Sequence, residues 1–251
     1  MTSTPTLDIR AGRATISLQR PEKRNRIEPD DITTIIGYCE TIDSDNSVRS
    51  VVLTATGPVW CSGYHLGALA AGDSPRHGFS ELCDRIEAIR VPTIACLGGS
   101  LHGGGTDLGL SCDFRVGTSE IGLVMPAARI GLQYYASGLR RFVERIGPDA
   151  TKRLFLTGER IESAELLRLG YLTEVVSVEN LESRVDEIVD AVSAMAPLAV
   201  IDTKAAINQL ASEGADLAAI EAGHVSSLGS HDHREAMAAL KERRPARFTG
   251  H

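Results

Sequence analysis

The chain has 251 residues, of which 43% are apolar, 24% charged and 4% aromatic, the composition of a folded soluble protein and not of a disordered or fibrous one. Its 33 acidic residues outweigh 26 Lys and Arg to give a formal charge of −7, which offers no positive field to DNA, RNA or an anionic membrane surface. No apolar run approaches the roughly 20 residues of a spanning helix, and Met-Thr-Ser-Thr-Pro-Thr at the amino end lacks the basic and apolar regions of a signal peptide, so a cytoplasmic protein is expected.

Two short alternating segments, 7–10 and 13–18, flank Gly12 and predict an opening hairpin. The stretch from Arg20 to Arg26 reads as a polar loop. Pro29 followed by two acids suits a first helical turn, and Ile32, Ile35, Ile36 and Cys39 then share one face, predicting a helix to about Ile42. Residues 50–55 form a continuous β-branched run bounded by turn residues, as in a strand buried on both faces of a parallel sheet. Further strands are predicted at 93–97 and 114–116, with helices near 79–88 and from Gly103 to Ser111. Such alternation means crossover units with helices covering a sheet.

Beyond about Ala136 the pattern becomes helical. Segments 136–146, 149–157, 163–169, 179–195, 198–213, 215–228 and 231–242 carry i, i+3, i+4 apolar spacing, and 171–176 is the one extended exception. These helices need a surface to cover, either their own sheet or a neighbouring subunit. The expected division is a core over 1–195 and a helical carboxyl-terminal region over 196–251.

The five cysteines are odd in number, scattered, and never spaced C-x-x-C, which argues against a disulfide framework or a zinc site and reads them as small buried hydrophobes. Ser230-His231-Asp232-His233 matches no usual two-histidine metal spacing; a serine N-cap with an acid in the first helical turn accounts for it. No metal is expected. The basic run from Lys241 to Arg247 reads as solvated or close to ligand phosphates.

The strongest local feature is Leu101-His102-Gly103-Gly104-Gly105-Thr106-Asp107-Leu108 directly after a buried strand. Three successive glycines cost a helix roughly 1 kcal/mol each relative to alanine, so close approach of backbone to something explains them better than propensity does. Close helix-to-strand packing is the alternative. A dinucleotide fingerprint from Gly103 would need glycine at Leu108, and a hydrolase elbow around Ser100 would need glycine at His102; neither is present. A second loop, Val59-Trp60-Cys61-Ser62-Gly63-Tyr64-His65-Leu66, also follows a strand. Two N–H donors converging from such loops make an oxyanion hole, at the strand edge where α/β sheets bind ligands.

Arg20-Pro-Glu-Lys-Arg-Asn25, Trp60-Cys-Ser-Gly63, Gly103-Gly-Gly-Thr-Asp-Leu108 with Cys112-Asp113, Pro126 with Gly131 and Gly138, and the ending Lys241-Glu-Arg-Arg-Pro-Ala-Arg-Phe248 occur in the order of the signatures of the crotonase (enoyl-CoA hydratase/isomerase) family, which the chain resembles over nearly its whole length. The resemblance implies an α/β spiral of ββα units with a helical trimerisation region, assembled as a homotrimer or dimer of trimers. It implies an acyl-CoA substrate and no separate cofactor, coenzyme A being part of the substrate. The oxyanion hole would fall on the N–H groups of Tyr64 and Gly104, an effect worth about 3–4 kcal/mol per donor. Substrate contacts would come from Arg24, Arg26, Ser62, Leu66, Gly103, Pro126 and Gln133.

Related hydratases use two glutamates as acid and base; here the first position is Asp107 and the second, after Pro126, is Ala127. Asp107 is then either the lone catalytic carboxylate or a first-turn acid favoured by the helix dipole. Tyr134 lies in Gly-Leu-Gln-Tyr-Tyr-Ala-Ser-Gly, which is similar to the methylmalonyl-CoA decarboxylase branch, as is His65, displaced by one position. Both join Asp107 as candidate catalytic residues, against a packed aromatic and a surface imidazole. Where the family commonly has Asn-Ala-Leu this chain has Asn25-Arg26-Ile27, and Arg26 is either a partner for a CoA phosphate or carboxylate or a solvated charge. The leading expectation is hydratase/isomerase chemistry on an enoyl-CoA; decarboxylation of a malonyl-type acyl-CoA and binding of acyl-CoA without turnover remain open.

Overall fold

The computed structural model describes residues 4–71, 77–212 and 214–250. The chain opens with strands β1 (Thr6–Arg10) and β2 (Arg13–Leu18), paired antiparallel around Ala11 and Gly12, both at positive φ as a two-residue hairpin turn requires. Helix α1 (Pro29–Ser44) follows, two residues longer than its pattern predicts, then β3 (Ser50–Ala55) and β4 (Val59–Cys61), then α2 (Leu66–Ala71) and α3 (Phe79–Glu87). Next come β5 (Thr93–Leu97), β6 (Ser100–His102), α4 (Gly104–Leu110), β7 (Phe114–Thr118), β8 (Gly122–Val124) and α5 (Ala136–Lys152). The rest comprises β9 (Ile161–Glu162), α6 (Ser163–Arg168), β10 (Glu174–Val176), α7 (Leu181–Ser193), α8 (Pro197–Ala211), α9 (Leu217–Leu228) and α10 (His231–Glu242).

The strands form two sheets: β1-β2-β3-β5-β7-β10, parallel except for the hairpin, and β4-β6-β8-β9, parallel except at β9. Each consecutive pair β3/β4, β5/β6 and β7/β8 sends its first strand to the larger sheet and its second to the smaller, and a helix follows. This is the spiral of ββα units that the sequence resemblance implies. The small-sheet strands were absent from the pattern reading because two or three residues carry too little periodicity to register.

The central strands β3, β5 and β7 of the larger sheet are buried on both faces, which explains their unbroken apolar runs. Val51 and Leu53 of β3 and Ala95 and Leu97 of β5 face a core with α1, α3 and Trp60, while Val52, Ile94 and Val116 face Leu181, Val185, Ile188 and Val189 of α7. All five cysteines are free and buried.

Three expectations need correction. The extended segment predicted at 171–176 is a strand only from Glu174; Tyr171 and Leu172 instead bury their side chains in the main core. The helices predicted at 136–146 and 149–157 run on as one element with a kink at Gly147, where φ is +78° and Pro148 follows, and the turn Arg153–Thr157 is wound as a π-helix. The predicted strand 114–116 extends to Thr118.

Helices α8 and α9 have no buried residue, although Ile207, Leu210, Leu217, Val225 and Leu228 are apolar. Lys204 ties α8 to the core through the Asp113 carboxylate at 2.7 Å and the Val91 carbonyl at 2.9 Å. Ser230 caps α10, its hydroxyl accepting the His233 N–H at 3.0 Å. No helix among the described residues is long and apolar enough to cross a membrane.

Candidate active site

Loops leaving β2, β4, β6 and β8 supply the residues singled out from sequence. The β2 loop is set by a buried ion pair: Arg20 reaches Asp31 of α1 at 2.5 and 3.1 Å. Asn25 is locked beside it, accepting the Arg20 N–H and donating to the carbonyls of Thr56 and Val59 at 2.7 and 2.8 Å. Arg24 and Asn25 both adopt left-handed φ, near +50°, in the tight turn this produces.

The same loop is stitched to the one after β4. Ser62 N–H donates to the Arg24 carbonyl at 3.0 Å, Ile27 N–H to Gly63 O at 2.8 Å and His65 N–H to Ile27 O at 3.0 Å. Ile27 and Tyr64 thereby form an isolated parallel bridge. Arg24, Arg26, Ser62, Tyr64 and His65 are thus brought into one neighbourhood.

The loops after β4 and β6 meet at their glycines. Gly63 has φ +87°, and a Cβ on it would lie 2.6 Å from Gly104 N and 3.0 Å from His102 O. A Cβ on Gly104 would lie 2.7 Å from the Phe79 ring, and one on Gly105 would lie 2.5 Å from the Cys61 carbonyl. The glycines therefore serve two ends: Gly105 gives close packing of α4 on β4, Gly104 makes room for the Phe79 ring, and Gly63 lets the loop after β4 lie backbone against backbone on the start of α4.

Asp107 sits in the first turn of α4 with no exposed surface. Its Oδ1 accepts from Arg141 Nη1 at 2.6 Å. Its Oδ2 accepts from the Tyr135 hydroxyl and, at 3.3 Å, from that of Tyr134. The two tyrosine rings stack with centroids 4.2 Å apart. Gly138 makes room for the group, since a Cβ there would come within 2.5 Å of the Tyr134 ring and 2.8 Å of Asp107 Oδ2. Burial raises the Asp107 carboxyl above its ordinary value, against the opposing pull of Arg141. Burial likewise lifts both phenols, reinforced by the nearby Asp107 and Cys83.

Arg141 is itself fully buried and touches two more carboxylates, Asp84 at 2.7 Å and Glu87 at 3.1 Å, both on α3. Burial alone would weaken its charge, but Asp107 and Glu87 outweigh this and hold the guanidinium protonated.

His65 belongs to a different cluster. Its Nδ1 lies 2.7 Å from Glu28, the N-cap residue of α1, and Arg26 Nε donates to the other Glu28 oxygen at 2.7 Å. Arg26 is therefore paired within the chain instead of standing as a solvated charge. Among the described residues no hydrogen bond joins His65 to Asp107 or Tyr134. Leu66 and Gln133 are exposed, while Ser62, Gly103 and Pro126 are half-buried and Ala127 is buried.

Sequence reading passed over Tyr135, Arg141 and Glu28. A signal existed for two of them. Arg141 falls three residues after Gly138 and beside Phe142 on the buried stripe of α5, where an arginine needs a partner. Glu28 with Asp31 makes a capping box that brackets Pro29 at the start of α1.

The sequence profile of the family described as enoyl-CoA hydratase/isomerase matches residues 8–251. The chain is 29% identical over 244 residues to a crotonyl-CoA hydratase of Syntrophomonas wolfei, covering 94% of each protein. It is 27% identical over 239 residues to a short-chain-enoyl-CoA hydratase of Clostridium acetobutylicum, covering 92% of each. An enoyl-CoA hydratase structure from Bacillus anthracis superposes with a TM-score of 0.90 at 25% identity, over 99% of this chain and 100% of that one. A structure of an enoyl-CoA hydratase/isomerase family protein from Hyphomonas neptunium gives 0.93 at 25% identity, over 100% and 99%.

Proposed function

Since the chain belongs to the enoyl-CoA hydratase/isomerase family, we propose that it acts on an acyl-CoA thioester whose carbonyl oxygen is held by the main-chain N–H groups of Tyr64 and Gly104. The observation that carries this reading is the contact between Gly63 and Gly104, which leaves room for no side chain between the two loops. When water or a base attacks the acyl group, charge moves onto the thioester oxygen. Donors fixed in advance stabilise that charge without reorganising, an effect of about 3–4 kcal/mol per donor.

Arg24, Arg26, Ser62, Leu66, Gly103, Pro126 and Gln133 are the proposed substrate contacts, with Arg26 held by Glu28 through its Nε. Asp107 handles the proton, because Ala127 supplies none. The protein is proposed to work as a cytoplasmic homotrimer or dimer of trimers, assembled through its carboxyl-terminal helices.

Hydration or isomerisation of an enoyl-CoA is the leading reaction. Decarboxylation of a malonyl-type acyl-CoA is the second, favoured by the Tyr134 hydroxyl beside Asp107 and by the buried methyl of Ala127. That reaction needs enolate stabilisation and no pair of carboxylates. Mass spectrometry after incubation with crotonyl-CoA and methylmalonyl-CoA in heavy-oxygen water separates them. A labelled hydroxyacyl product lost in Asp107→Asn supports hydration; propionyl-CoA and carbon dioxide support decarboxylation; binding without product from either would leave a non-catalytic acyl-CoA binder.

A further inference from the structure

The carboxylate expected to move the proton presents no surface to a substrate. Asp107 is wholly buried, with one oxygen on Arg141 and the other on the Tyr135 and Tyr134 hydroxyls. Of these three neighbours Arg141 and Tyr134 are buried and Tyr135 alone is half-buried. Gly104 and Asp107 lie three residues apart in the first turn of α4 and so share one face of that helix, and the Tyr135 hydroxyl is bonded to the Asp107 end of it.

Resting on the enoyl-CoA hydration reading above, we propose that Tyr135 relays the proton between substrate and Asp107, and that Arg141 is the positioning residue that fixes the carboxylate beneath it. In hydration, the water oxygen bonds to Cβ and the alkene electron pair moves onto the thioester oxygen. The water proton passes to the Tyr135 oxygen as the Tyr135 proton passes to Asp107 Oδ2. When the enolate collapses, the Asp107 proton returns to the Tyr135 oxygen and the phenolic proton goes to Cα. Nothing is oxidised or reduced, and no phenolate forms at either step. That suits phenols whose ionisation is opposed by burial and by adjacent Cys83 and Asp107.

Arg141 holds the arrangement from behind. Its three carboxylate contacts span α3 and α4, and Gly138 lets its helix lie directly against the Tyr134, Tyr135 and Asp107 cluster. Asp107 thus has one oxygen committed to charge and the other to proton transfer.

Steady-state kinetics with crotonyl-CoA test this. Tyr135→Phe is expected to lower kcat by about 100-fold or more while leaving KM near that of the parent. Adding Tyr135→Phe to Asp107→Asn should slow the enzyme no further, because the two act as one unit. Arg141→Lys keeps a cation in the site and should fold. It is expected to move the acid limb of kcat/KM to higher pH, since fewer donors then oppose protonation of Asp107. The other titratable groups around that carboxyl and its arginine are Cys83, Asp84 and Glu87 from α3, Asp84 touching only the arginine, Tyr134 and Tyr135 before α5, and Tyr171 beneath α4. Turnover by Tyr135→Phe within about 3-fold of the parent, with Asp107→Asn inactive, would overturn the relay and leave Asp107 acting directly. An unchanged pH profile in Arg141→Lys would overturn the positioning role. Failure of the parent to turn over crotonyl-CoA would instead overturn the hydration reading, and the relay with it.

Discussion

Gly63 sits at φ +87° with the place of a Cβ 2.6 Å from Gly104 N, so Gly63→Ala has both a conformational and a steric cost. A lowered thermal midpoint and a loss of kcat of about 100-fold or more are expected, because the methyl group pushes apart the two loops that carry the proposed donors. Kinetics and thermal unfolding of the same preparation check both effects. The close backbone approach was legible in sequence because a glycine run after a strand announces it, and it occurs at Gly63 and Gly105, whereas Tyr64, Gly104 and Asp107 were named through the family resemblance. Tyr135 and Arg141 were not, since they lie 28 and 34 residues from Asp107 and meet it only when α5 folds back over α4. His65 was named for a partial similarity to the methylmalonyl-CoA decarboxylase branch, and the structure pairs it with Glu28 across the bridge that joins Ile27 to Tyr64.

Among the elements, strands buried on both faces and the long amphipathic helices were read within a few residues, because their periodicity is strong. The strands of the smaller sheet were invisible for the opposite reason. They are two or three residues long, yet they turn a plain crossover pattern into a spiral that delivers the loops after β4 and β6 to one edge. At the other end of the chain, Asp232 in the first turn of α10 is nearly buried and accepts the N–H groups of Thr249 and Gly250 at 2.8 and 2.9 Å. Burial opposes its charge, but these bonds prevail and hold its carboxyl below the ordinary value. A depressed folded-state pKa stabilises above the unfolded-state value of about 3.9 and ceases to do so as pH falls through the folded-state value. Asp232→Ala is therefore predicted to cost about 2 kcal/mol in urea unfolding at pH 7, with the gap from the parent narrowing below pH 4.

For the molecule as a whole, α8 and α9 pose a question of burial. Ile207 and Leu210 are 59% and 57% exposed, and Leu217, Val225 and Leu228 are 65%, 61% and 51% exposed, on helices with no buried residue. An apolar surface of this kind marks an interaction site, and the proposed occupant is another copy of the chain. Light scattering on the eluting protein should give three or six chain masses, and Leu217→Asp combined with Leu228→Asp should lower that number. A parent that elutes as a monomer would contradict the proposed assembly. The helical character of this region was legible from its spacing, but its partner was not, because apolar residues look the same whether they cover their own core or a neighbour's.

Stabilisation of an acyl-CoA enolate, whatever reaction follows from it, is the property on which the proposed function rests. Its most direct test is hydrogen exchange at Cα of a saturated thioester, butyryl-CoA, in deuterated water, followed by mass spectrometry, with binding measured alongside by calorimetry. Uptake of deuterium at Cα is expected for the parent, abolished in Asp107→Asn while butyryl-CoA still binds. Tight binding with no deuterium in the parent would contradict it.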